Sequence, residues 1–410
     1  GDVGAAAAPP PRWLNRTVAG AGLTSALGDF AYETTTVILP GFLAVLGAPA
    51  AALGIIEGVA DAVASFTKMI AGHVADRFGH RKALVLLGYG LTPAGQALIA
   101  LAAGWPLILL GRVVSWFGKG LRGPLRDAIV AQSITPRTRG RAFGFHRAMD
   151  TVGAIFGPLL GIWALGLMQG YAWPDPADAF RLVFWLTLIP GALSVAAFLL
   201  LVRDPERSPN PELRLISTLR GLPAQFRRYL GAVGVFGLGD FSHSLLILAA
   251  TTLLTPRLGV VQAAQTAGLL YVGRNVVQVA ASYPVGALAD RLGARRILAL
   301  GYGLGVLTAA LMALAFAAGQ DALWFLGLAF ACAGLYVAAQ EALESPVAAE
   351  MAPQDRLASS FGALGLVNGG AKLISSSAVG LLWTLASPVV AFGLAAALMA
   401  AGTAALIRLR

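Results

Sequence analysis

Twelve mostly apolar stretches, at approximately 17–46, 50–72, 83–102, 106–131, 141–168, 182–202, 229–255, 263–287, 297–317, 323–350, 357–384 and 389–407, fill the 410-residue chain almost end to end. Each is near or above the roughly 20 residues that carry an α-helix across the hydrocarbon of a bilayer. No other feature constrains the fold as tightly. Lipid offers no hydrogen bonds, so each span must satisfy its own backbone, and the spans are predicted to be helices. Only 12% of residues are charged and 57% are apolar, against about 25% charged in water-soluble domains.

The charges report topology. Of the 30 Lys and Arg, eight fall inside spans away from their ends, two (Arg181 and Arg257) lie on one side, and 20, counting Arg141 at the edge of its span, lie with the two tails and the loops after even-numbered spans. Basic residues accumulate on the cytoplasmic side, which predicts cytoplasmic termini and a multi-pass protein of the inner membrane. The net charge of +10 is not gathered into a polar domain, so no nucleic-acid partner is expected. Residues 203–228 hold Pro205, Pro209, Pro211 and six Arg. They are too polar for the bilayer and read as a linker between bundles at 17–202 and 229–410, with 1–16 a tail. That Ala/Pro-rich start is set aside from fold reasoning, and no cleavable signal is expected.

The two bundles are versions of one another. Residues 72–82, Gly-His-Val-Ala-Asp-Arg-Phe-Gly-His-Arg-Lys, return at 286–296 as Gly-Ala-Leu-Ala-Asp-Arg-Leu-Gly-Ala-Arg-Arg. Leu27-Gly28-Asp29-Phe30 returns at 238–241, and Leu87-Gly88-Tyr89-Gly90-Leu91 at 300–304, all at offsets of 211 to 214. In the loops, Gly72 and Gly286 allow close helix approach, and Gly79 and Gly293 allow a turn other residues resist. Asp76 is placed to pair with Arg81 or Lys82, and Arg77 to reach Asp127 at the end of the fourth span. Asp290, Arg291 and Arg295 repeat the pattern.

This doubled Gly-x-x-x-Asp-Arg-x-Gly-x-Arg-(Arg/Lys) loop resembles the signature loop of the major facilitator superfamily, and the resemblance runs over essentially the whole chain. It implies an all-α membrane fold of twelve helices in two pseudo-symmetric bundles, a monomer that moves a small molecule by alternating access, with the loops as conformational switches and no cofactor. The fifth span carries Gly144, Gly153, Gly157-Pro158 and Gly161. This resembles the antiporter motif of exporters in that superfamily, although Ile162 replaces the last Gly and His146, Arg147 and Asp150 lie outside the pattern. After Arg112 the family's usual Gly is Trp116.

Seventeen charges lie inside the spans away from their ends, and each would cost on the order of 3 kcal/mol facing lipid at mid-helix. They should face one another or an interior cavity. Asp29, Glu33, Glu57 and Asp61 crowd four carboxylates onto two neighbouring helices, the pattern a proton-coupled carrier needs. With Asp240, Arg112, Arg274 and Lys372 they are the candidates for coupling or substrate contact. Arg112, Lys119, Arg122 and Arg126 form a positive stripe on the fourth span. The repeat register sets Arg126 against Glu344, with Glu341 beside it, so a gate is predicted in which Arg122 or Arg126 pairs with Glu341 or Glu344. Asp150 is within helical reach of both His146 and Arg147, and all three read as a local network. One cysteine, Cys332, and four His make no soft-metal site, and no nucleophile–base set for an intramembrane enzyme is evident. The reading is proton-coupled export of a small organic or toxic compound. The alternatives are import of an organic anion by symport and export of a hard divalent metal ion.

Overall fold

The computed structural model describes residues 12–409 apart from 49, 80, 169–170, 176, 205–220 and 259. Most of the expected linker, and His80 of the first loop, lie outside the described residues. The rest is helical: α1 (Arg16–Val45), α2 (Ala50–Phe78), α3 (Arg81–Ala100), α4 (Trp105–Gln132), α5 (Arg139–Met168), α6 (Ala177–Leu201), α7 (Ala224–Gly237), α8 (His243–Leu258), α9 (Val260–Leu292), α10 (Ala294–Ala318), α11 (Leu323–Met351), α12 (Leu357–Leu385) and α13 (Pro388–Ile407). The seventh expected span is therefore two helices, α7 and α8. The other eleven each match one helix.

Packing follows the repeat. In the first half α3 packs on α4 and α6, and α2 on α4; in the second, α10 packs on α11 and α13, and α9 on α11. The halves meet through two equivalent pairs, α5 on α9 and α2 on α12. Charge is sorted by this arrangement. Helices α3, α6, α10 and α13 are long and apolar enough to cross a membrane, as is α11. The first four carry none of the seventeen intraspan charges and present exposed Leu87, Ile189, Leu200, Leu300, Leu314 and Val390. Such surface suits lipid and not water. The charged helices are left to line the interior.

The start of α1, the ends of the even-numbered spans and the repeated loops share one face, called here the terminal face: Asn15 donates to the Ser133 carbonyl, Arg16 to that of Leu200 and Arg295 to that of Leu409. Gly79 (φ 74°) and Gly293 (φ 99°) both adopt the left-handed conformation that side chains resist, which lets α2 turn into α3 and α9 into α10 within two residues. Lys82 donates to the carbonyls of Leu199 (2.9 Å) and Val202 (2.6 Å) at the end of α6. Arg295 likewise donates to Leu409 (2.7 Å) beyond α13. Cations at a helix C-terminus complement its dipole.

Candidate functional site

The loop carboxylates reach across to the opposite half. Asp76 accepts from the Ser359 backbone N–H (2.8 Å) and hydroxyl (2.7 Å) in the first turn of α12. Asp290 accepts from the backbone N–H of Gly140 (2.8 Å) and Arg141 (3.1 Å) and from Arg141 Nε (2.8 Å) at the start of α5. Each acid thus takes the unsatisfied donors of a helix N-terminus, where negative charge is favoured. Glycine makes the approach possible: a Cβ on Gly72 would lie 2.3 Å from the Ala358 carbonyl oxygen, and one on Gly286 2.1 Å from that of Gly140. The expected pairing of Asp76 with Arg81 or Lys82 is replaced by this contact. Arg81 instead binds Asp204, Lys82 the end of α6, and Arg77 and Arg291 stand in the last turns of α2 and α9.

The antiporter-like glycines serve two interfaces. A Cβ on Gly144 would meet the Ser282 carbonyl oxygen of α9 at 2.4 Å, while Gly153, Gly157 and Gly161 abut Ala26, Phe30 and Thr34 of α1. Pro158 lies inside α5, and the Gly157 carbonyl accepts from the Thr34 hydroxyl at 2.8 Å.

The positive stripe on α4 is neutralised within its own half. Arg122 pairs with Asp29 (3.6 Å), donates to Thr92 Oγ1 (2.9 Å) and lies 4.4 Å over the Tyr89 ring. Arg126 donates to Asp127 (3.1 Å), Ser25 (3.0 Å) and the Tyr89 hydroxyl (3.2 Å). Arg112 donates to Thr36 (3.3 Å), and it and Lys119 both lie over Tyr32 and Trp116. Trp116, where the family has Gly, therefore supplies an aromatic face to two cations. Glu33 stands one turn beyond Asp29 on the same helix. Glu57 and Asp61 are one turn apart on α2, and their side chains lie outside the described residues.

The expected gate is thus differently wired. Glu344 accepts from Tyr302 (2.5 Å) and Asn368, and Glu341 accepts from Gln278 (2.9 Å). The contacts between halves are made by neighbours. Arg147 donates to the Glu341 carbonyl (3.1 Å) and to Asp127 (2.9 Å), with Asp150 at 3.7 Å, and the Ser345 hydroxyl lies 3.4 Å from Asp127. Asp127, expected to hold Arg77, binds Arg126 and Arg147. His146, expected near Asp150, bonds through Nε2 to Ser25 at 2.8 Å. Tyr89 and Tyr302, in the repeated Leu-Gly-Tyr-Gly-Leu segment, turned out to be the hub residues: the hydroxyl accepts from Arg126 in one half and donates to Glu344 in the other. Their strict repetition was the signal.

At the break between α7 and α8, residues 238–242 leave the helical ladder. Asp240 is 3% exposed and accepts from Tyr336 (2.7 Å) and Gln340 (3.2 Å), with Lys372 Nζ at 3.7 Å. The Ser242 N–H freed by the break donates to Ser376 Oγ (2.9 Å) of α12, so the irregular backbone is satisfied by protein, as membrane depth requires. Arg274 donates to Asn275 (2.7 Å) and Gln278 (3.1 Å). Glu341, His243 and Lys372 sit on inward-facing helices and yet are exposed or partly exposed, which marks an open interior space. Buried charges held by neutral partners and by each other, inside two packed halves with partly exposed ionisable groups on inward-facing helices, suit binding and moving a solute.

Comparison with known proteins agrees. The sequence profile described as Major Facilitator Superfamily matches residues 21–261 and 232–410. An uncharacterized MFS-type transporter of Methanocaldococcus jannaschii is 27% identical over 385 residues, 93% of this chain and 92% of that one. The multidrug resistance protein MdtH of Photorhabdus laumondii is 33% identical over 158 residues, 38% of each chain. The crystal structure of the human organic anion transporter TETRAN superposes with a TM-score of 0.72 at 18% identity, covering 95% of this chain and 99% of that one. On its profile match over nearly the whole length, this chain belongs to the Major Facilitator Superfamily and is a membrane transporter, not an enzyme.

Proposed function

We propose that this protein is a monomeric, proton-coupled antiporter of the cytoplasmic membrane that exports a small organic compound by alternating access, with both termini in the cytoplasm. The observation that carries the reading is that ionisable groups buried within the apolar spans turn inward in both halves. Asp29 faces Arg122 in the first, and Asp240 faces Lys372 in the second. A proton on either carboxylate would release its cation, and a ligand shifts a two-state equilibrium when it prefers one state. Asp29 and Asp61 are the leading proton carriers, with Asp240 behind them.

Two features favour export. The glycine series of α5 follows the antiporter-like spacing, and MdtH, similar over part of the chain, is a multidrug resistance protein. The close backbone contacts at Gly72, Gly140, Gly144 and Gly286 lie toward the terminal face. With that face cytoplasmic, this arrangement is one closed to the cytoplasm. The rocking units are residues 17–202 and 229–410.

Proteoliposomes with an imposed pH gradient test the reading. Solute movement opposite to the proton gradient, lost in Asp29→Asn, is expected; flux indifferent to pH would refute proton coupling. Movement in the same direction as protons would instead favour the second reading, symport of an organic anion, which the two cations Arg274 and Lys372 support.

A further inference from the structure

Beside the break in the seventh span lies a narrow cleft, about 20 Å³ in this arrangement, whose walls include Phe241, His243, Leu246, Arg274, Tyr336 and Lys372. Its charges are unevenly served. The Arg274 side chain is 8% exposed, its hydrogen bonds go to the neutral Asn275 and Gln278, and its buried Nε has no hydrogen-bond partner. A buried guanidinium served only by amides lacks its natural partner, an oxyanion. Lys372 is 44% exposed toward the cleft, and its only described acid is Asp240 at 3.7 Å. Asp240 already accepts from Tyr336 and Gln340. Glu341 is reached through Gln278. The walls mix polar and apolar groups: His243 stacks on Tyr271 at 5.2 Å, and Arg274 lies 5.5 Å over the same ring.

We infer that this cleft, widened in the arrangement that admits solute, binds a small organic anion, its carboxylate or sulfonate head between Arg274 and Lys372 and its apolar body against Phe241, Leu246 and Tyr336. The inference rests on the transporter reading above and names its substrate class. Asp240 and, through Gln278, Glu341 offset the two cations, but no carboxylate bonds Arg274 directly among the described residues, and an organic cation would have to displace Lys372 from Asp240. Lys372 then answers to two acids, Asp240 when the cleft is empty and the substrate when it is filled. Arg274 stands on α9, which packs on α5 of the opposite half, and Lys372 on α12, which packs on α2. An anion held by both therefore ties together the two helices through which the halves meet.

The test uses the purified full chain in detergent, with benzoate, benzenesulfonate, benzylammonium and benzyl alcohol at millimolar concentration, read as thermal-unfolding shifts. Benzoate and benzenesulfonate are expected to stabilise in a saturable way, and the other two not. Lys372→Gln and Arg274→Gln should each weaken benzoate at least tenfold, Lys372→Arg should retain it, and Arg181→Gln, near the start of α6, should match wild type. If Arg274→Gln does not fold, the half-exposed Lys372 variants decide alone. Benzylammonium binding as well as benzoate, no probe binding, wild-type affinity in Lys372→Gln, or loss of benzoate only in Arg112→Gln would each overturn the assignment. Benzoate binding without pH-driven flux would leave this site standing and remove the antiport reading instead.

Discussion

Gly286→Ala separates a structural from a conformational role for the inter-half contact. The new methyl carbon would lie 2.1 Å from the Gly140 carbonyl oxygen, where ordinary contact begins at 3.4 Å. The obstacle is backbone, so α5 and α9 must part by about 1 Å at this point. That movement stretches the Gly140 N–H to Asp290 bond from 2.8 Å to beyond hydrogen-bonding range. A hydrogen bond to a charged group is worth about 1.5–3 kcal/mol, and overpacking alone costs about 1–3 kcal/mol. Because both penalties, together about 2.5–6 kcal/mol, fall only on the state closed at the terminal face, the equilibrium should shift by about 70-fold or more toward the open one. The gain of about 1 kcal/mol in helix propensity from Gly to Ala is common to both states and cancels. Spin labels at the exposed positions 137 and 296, in a Cys332→Ala background, report the separation of the halves by pulsed electron resonance. A longer distance population is expected in Gly286→Ala. Gly303→Ala is the control, since nothing lies within 4 Å of its added Cβ. An unchanged distribution in Gly286→Ala, or an equal change in Gly303→Ala, would refute the reasoning.

Other outcomes follow from the same contacts. Asp76→Ala and Asp290→Ala should each open the terminal face, and their effects should add within about 0.5 kcal/mol because the two contacts share no residues; strong non-additivity in the label distances would contradict this. Asp29→Ala and Arg122→Ala should each destabilise by about 3–5 kcal/mol, as expected for removing one partner of a buried pair, while the double variant recovers part of the loss in chemical denaturation; a fully additive loss would deny the pair. Reversal of Arg126 to Glu together with Glu344 to Arg should melt no higher than the worse single variant, because each side chain is committed to its own tyrosine; rescue would restore the direct gate. Ser376→Ala should strand the Ser242 N–H at a cost of about 1–3 kcal/mol, detectable as faster amide exchange at 238–242, and unchanged exchange would show that water already serves this backbone.

Sequence by itself determined the helical class, eleven of the twelve spans to within about six residues, the internal repeat and the charges carried on the helices. These are legible because lipid imposes a length and an apolar composition on each helix separately, and a charge in such a helix must face inward whatever its partner. Partners were another matter. Arg126 and Glu344 occupy equivalent repeat positions, yet each is claimed first by the nearby Tyr89 or Tyr302 of its own half, a choice set by distances between helices that no spacing encodes. Asp76 has basic neighbours in its own loop, but its lasting partner is Ser359, 283 residues on, because only in the folded molecule does the start of α12 offer bare N–H donors there. Leu-Gly-Asp-Phe makes the difference plainest. At 27–30 it continues α1, where Tyr89 covers Gly28 and Arg122 holds Asp29. At 238–241 the same four residues break the helix. There Ser376 takes the freed N–H and Tyr336, Gln340 and Lys372 hold Asp240. A helix can open in a membrane only where neighbours satisfy what it exposes, and the tertiary structure supplies those neighbours in one half at the position where the other half keeps its helix whole.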